Sequence, residues 1–86
     1  MTDFNNLMFL DHPVMPNSIM ARYRFNNGKE LSIVAGPGLY SNPGGLDSDE
    51  KISKAEDVAS FEVMFDGEVT GWQSREDINE IFKANQ

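Results

Sequence analysis

Eighty-six residues, 40% of them apolar and carrying a formal charge of −7, describe one small domain with a thin core. Cysteine is absent and His12 is the only histidine, which excludes disulfides, thiolate nucleophiles and clusters of soft metal ligands. The acidic balance disfavours nucleic-acid binding, which needs clustered Lys and Arg to displace counterions from phosphates.

No apolar run approaches the roughly 20 residues of a membrane helix, and no basic-then-apolar leader opens the chain. The expectation is a cytoplasmic protein. Charge is unevenly spread: Met1 to Lys29 sums to +1, and Glu30 to Gln86 to −8. Such a surface keeps a small protein in solution, and it also suits docking on a basic partner.

Residues 1–18 read as a lead-in to a single α+β domain over residues 19–86. Phe4, Leu7, Met8, Phe9 and Leu10 are apolar enough to pack as one helical turn or an edge strand, while Pro13 and Pro16 forbid a helix interior. His12, between Asp11 and Pro13, reads as a surface residue.

Ile19, Ala21, Tyr23 and Phe25 alternate with Met20, Arg22, Arg24 and Asn26, the period of a half-buried strand. A second strand follows, with Leu31, Ile33 and Ala35 inward. Parity selects the turn between them. A two-residue Asn27-Gly28 turn would set Phe25 against Glu30 and Arg24 against Leu31 on mixed faces. A three-residue loop, Asn26-Asn27-Gly28, instead pairs Tyr23 with Leu31, Ala21 with Ile33, Ile19 with Ala35 and Arg24 with Glu30. Gly28 then takes the left-handed position of a type I turn with a G1 bulge.

A long connection spans residues 36–57. Its first part, Gly36-Pro37-Gly38-Leu39-Tyr40-Ser41-Asn42-Pro43-Gly44-Gly45, is dense in turn formers, and Leu46 to Asp57 is acidic. A connection this long is functional or disordered. A short helix within Asp49 to Val58, capped by Ser48, is expected.

Val58 to Phe65 reads as a third strand with Phe61, Val63 and Phe65 on one face. Asp66-Gly67 fits a two-residue turn that sets Met64 against Val69, Val63 against Thr70 and Phe61 against Trp72. In that register Trp72 is a core anchor against Phe61. Ser74 and Asp77 form a shortened capping box for a helix from Arg75 to Ala84, whose stripe Ile78, Ile81 and Phe82 must lie on the sheet. The sum is an antiparallel sheet of about four strands and two hairpins, packed by one C-terminal helix. Its second face, with Met20, Val34 and Met64, awaits cover from a partner, the N-terminal segment or a second copy.

No enzyme constellation stands out: there is no Gly-x-Ser-x-Gly, no His-Glu-x-x-His and no dinucleotide fingerprint. Asp47, Asp49 and Lys51 lack the central glycine and closing glutamate of a calcium loop, so no metal or cofactor is expected. The glycine-rich loop is either a wide turn or a recognition loop in which Tyr40 and Asn42 make contacts. Its amides could also cradle phosphate.

The run Ala21-Arg22-Tyr23-Arg24-Phe25-Asn26-Asn27-Gly28, then Leu31 to Gly36, Phe61-Glu62-Val63, and Gly71-Trp72 ahead of Arg75 to Phe82, resembles a group of small proteins of tailed bacteriophages. The likeness covers most of residues 19–82 and departs at Lys29-Glu30, where an aromatic-glycine pair is commoner. These are fold motifs, so the resemblance implies a fold and no functional residues.

The leading expectation is a non-enzymatic phage accessory protein that binds and modulates or inhibits a host protein, such as a defence factor. Its contacts would come from Gly36 to Asn42 with Asp47, Asp49, Glu50 and the acidic run to Asp57. The alternative is an oligomeric sequestering protein. In it, loop amides and Arg22 or Arg24 hold an anionic, nucleotide-like ligand at a subunit junction. A minor virion component is a third reading.

Overall fold

The computed structural model describes residues 3–43 and 50–85. Among them, five strands form one antiparallel sheet in chain order: β1 (Leu10–Asp11), β2 (Ile19–Arg24), β3 (Glu30–Ala35), β4 (Phe61–Phe65) and β5 (Glu68–Gln73). A single helix, α1 (Arg75–Asn85), closes the chain and packs on one face. The α+β class is as the sequence predicts, with a fifth strand contributed by the lead-in.

The β2–β3 hairpin has the register that side-chain parity selects, with Ile19, Ala21, Tyr23 and Arg24 opposite Ala35, Ile33, Leu31 and Glu30. Gly28 sits at φ 89°, and the Phe25 amide donates to the Lys29 carbonyl at 2.9 Å. In the β4–β5 hairpin the Asp66-Gly67 turn has both residues at positive φ, and Met64 faces Val69.

The core lies between the sheet and α1. Ile19, Leu31, Ile33, Ala35, Phe61 and Val63 from the strands meet Ile78 and Phe82 from the helix, all buried. Burying each large side chain stabilises the fold by about 1.5–3 kcal/mol. The helix begins where Ser74 caps it. The Asp77 amide donates to Ser74 Oγ at 3.1 Å, and the Ser74 amide donates to Asp77 Oδ2 at 3.0 Å.

The lead-in supplies both of the elements considered for it. Phe4–Asn6 form a 3-10 turn capped by Asp3, and Leu10–Asp11 pair with β2 as an edge strand. Phe4 enters the core against Phe61, with ring centroids 5.3 Å apart, and its amide donates to Asn79 Oδ1 on α1 at 2.8 Å. Arg75 lies over the rings of Phe4 and Phe61 and donates to the Ala55 carbonyl at 2.7 Å, tying lead-in, strand and connection together. His12 folds the proline-rich turn: its Nδ1 accepts from the amides of Val14 and Met15. The chain can therefore reverse direction between β1 and β2 despite Pro13 and Pro16.

The structure corrects the sequence reading at four places. The strand read from Val58 starts at Phe61, because Ala59 and Ser60 are bonded instead to Asn42, and Val58 closes a 3-10 turn. The helix expected within Asp49 to Val58 is only that turn, Ala55–Asp57, begun by Lys54; Ser48 and Asp49 lie outside the described residues. The described end of the long connection is packed rather than structureless, with Ile52 and Val58 buried in the core. The fourth correction concerns Trp72, which shapes the candidate site.

Candidate functional site

With α1 on one face, no other described element covers the opposite face of the sheet, which is bare among the described residues. Register places on it Leu10 beside Met20, Met20 beside Val34, Val34 beside Glu62, Ser32 beside Met64 and Met64 beside Val69. Arg22 and Arg24 share it on β2, and Glu30 on β3. Leu10, Met64 and Val69 are 62%, 48% and 54% exposed, a contiguous apolar surface of a kind that small monomers seldom leave open.

One corner of this face is aromatic. Pairing slips between Phe61 and Val63, so β5 carries one extra residue and Phe61 faces Gln73 rather than Trp72. Trp72 adopts φ 54° at the bulge and is 60% exposed, not buried against Phe61. Its ring lies against Tyr40 at 5.1 Å, and its amide donates to the Tyr40 carbonyl at 2.9 Å. The contact requires Gly71, since a Cβ there would stand 2.7 Å from Tyr40 Cβ. The Tyr40 amide in turn donates to Glu62 Oε1 at 3.3 Å. At the opposite edge, Met8, Leu10, Pro13, Met20, Ala21 and Arg22 line an open groove of ≈ 350 Å³.

The predicted site residues are partly brought together. Gly36, Pro37, Gly38, Leu39, Tyr40, Ser41 and Asn42 form one loop, and most of its amides are occupied. Gly36 donates to Ser41 Oγ, Leu39 to the Gly36 carbonyl, Ser41 to the Leu39 carbonyl and Asn42 to the Ser60 carbonyl. A loop whose donors are mostly taken up in this way offers few amides to an anion. Arg24 stands at the far end of the hairpin from this loop, about 17 Å along the strand at the usual rise per residue. Arg22 lies between them on the bare face. Asp47 and Asp49 lie outside the described residues; Glu50 is exposed beside them.

Sequence reasoning missed Trp72, Leu10 and Met8 as surface elements. The available signal was Gly71, since a glycine inside a strand marks a bulge or a close backbone approach.

Among the described residues no cluster of three or more His, Cys, Asp or Glu side chains gathers to hold a metal. No described helix is long and apolar enough to cross a membrane. Comparison with protein-family models, curated proteins and solved structures finds no match for the chain.

Proposed function

We propose that this chain is a non-enzymatic accessory protein that acts by docking on another polypeptide through the bare face of its sheet. One observation carries the reading: a preformed pair of exposed aromatic rings, Tyr40 on Trp72, beside the open apolar strip of Met64 and Val69. Aromatic anchors held rigid before contact lose little entropy on binding and dominate interface energies. The resemblance of most of residues 19–82 to small tailed-phage proteins is the ground for naming a bacterial host protein as the target. The glycine-rich loop then serves as the bracket that holds Tyr40 rather than as a contact surface along its whole length.

The test is site-resolved photocrosslinking in bacterial cells, with the reactive residue at position 64 or 69 on the bare face, or at position 80 on α1. The reading expects adducts to a foreign polypeptide from the first two positions and none from the third. Equal labelling from all three, or labelling from position 80 alone, overturns it.

A further inference from the structure

We infer that, when no other polypeptide occupies it, the bare sheet face is covered by a second copy of this chain, related by a two-fold axis running along β3. This rests on the docking reading of the same face and names one occupant for it.

A two-fold interface must match itself: whatever lies on one side of the axis has to complement what lies on the other. With β3 as the middle strand of five, a two-fold parallel to it sets β1 and β2 of one copy against β4 and β5 of the other. Heights along the strands are preserved by that rotation.

Both halves of the face fit this operation. The β4–β5 side presents the projecting pair Tyr40 and Trp72, and the β1–β2 side presents the groove lined by Met8, Leu10, Pro13 and Met20. Leu10, Met20, Val34 and Glu62 form one row across the sheet, and Glu62 is bonded to the Tyr40 amide. Projection and groove therefore lie at the same height, as the axis demands.

Charge follows the same division. The face's arginines, Arg22 and Arg24, are on β2, while Glu62 is on β4. Under the two-fold, each copy's Glu62 lies over the other's Met20, one side-chain row (about 7 Å) from Arg22, a step that the long arginine side chain spans, and this pairing occurs twice. With Glu30 included, the strand residues of this face sum to zero, so the chain's net −7 is carried elsewhere. It is a surface on which two copies of an acidic protein can approach without strong repulsion. The 25 residues of the five strands cover roughly 400 Å² in plan per copy at standard sheet spacings. Two such faces sum to about 800 Å², below the standard size of a specific interface, which makes the dimer weak and concentration-dependent.

Sedimentation velocity over a range of protein concentration, with four samples, tests this. The unaltered chain should pass from monomer to dimer. Arg22→Glu or Glu62→Arg alone should each weaken dimerisation by about tenfold or more, because each reversal is repeated across the axis. Mixed together, the two variants should form a heterodimer, since both cross-axis contacts are then complementary again. That recovery also demonstrates that both variants fold. A dimer indifferent to both reversals, or a mixture that stays monomeric while the unaltered chain dimerises, places the contact elsewhere and overturns the inference. A chain monomeric at every concentration overturns it too, yet leaves the docking reading intact if positions 64 and 69 still crosslink a foreign polypeptide.

Discussion

Trp72 is held to Tyr40 twice, by its amide to the Tyr40 carbonyl at 2.9 Å and by its ring at 5.1 Å, and Gly71 alone leaves room for both contacts. Gly71→Ala should therefore separate the pair while the sheet persists. We expect a loss of stability of about 1–3 kcal/mol, the usual cost of overpacking. Tryptophan emission and near-ultraviolet circular dichroism should change, with far-ultraviolet dichroism preserved. Unchanged emission would mean that Tyr40 moves aside without leaving Trp72.

Gly36 poses a different constraint. Its φ is 154°, and a Cβ there would fall on the buried Ser18 hydroxyl, which itself donates to the Pro16 carbonyl. Gly36→Ala should destabilise the chain by about 2–4 kcal/mol in denaturant titration, combining backbone strain and overlap. Gly28→Ala meets no atom within 4 Å and pays only for its φ of 89°, so about 1 kcal/mol is expected.

Arg75 should prove a structural cation. Its guanidinium centre is 5.3 Å from the Phe4 ring centre and 5.5 Å from that of Phe61. Arg75→Met keeps the bulk and loses both ring contacts and the bond to Ala55. A cost of about 1–3 kcal/mol is expected. Hydrogen exchange should rise at Phe4 to Leu7 and at Ala55 to Val58 before it rises in β2 or β3, because these are the segments that Arg75 ties to the sheet.

The helix cap gives a pH signature. The Ser74 amide, and secondarily its hydroxyl, hold the Asp77 carboxyl below its ordinary value of 3.8. A carboxyl with a lowered folded-state pKa contributes stability above its unfolded value and loses it as the pH falls through the folded one. The difference in urea midpoint between the unaltered chain and Asp77→Asn should thus be largest near neutrality and shrink below pH 3.8. Ser74→Ala should cost about 1 kcal/mol at neutral pH.

Much of this architecture is legible in one dimension. Alternation over Ile19 to Ala35 and the chemistry of Asn26-Asn27-Gly28 settle the first hairpin to the residue, because a one-place slip would turn every core side chain to water. Ser74 and Asp77 announce the helix start in the same local way. Trp72 escapes that logic. Period-two counting from the Asp66-Gly67 turn puts it inside, but one inserted residue reverses its face, and that insertion is secured by Tyr40 from a distant loop. The lead-in is similar, since its apolar residues do not reveal that Phe4 completes the core against Phe61 while Leu10 stays on the open side. Sequence by itself determined four of the five strands, the two hairpin turns and the helix, which depend on neighbours a few residues apart. Only the tertiary structure decided where the lead-in packs and which way Trp72 faces, because those outcomes depend on contacts between segments far apart along the chain.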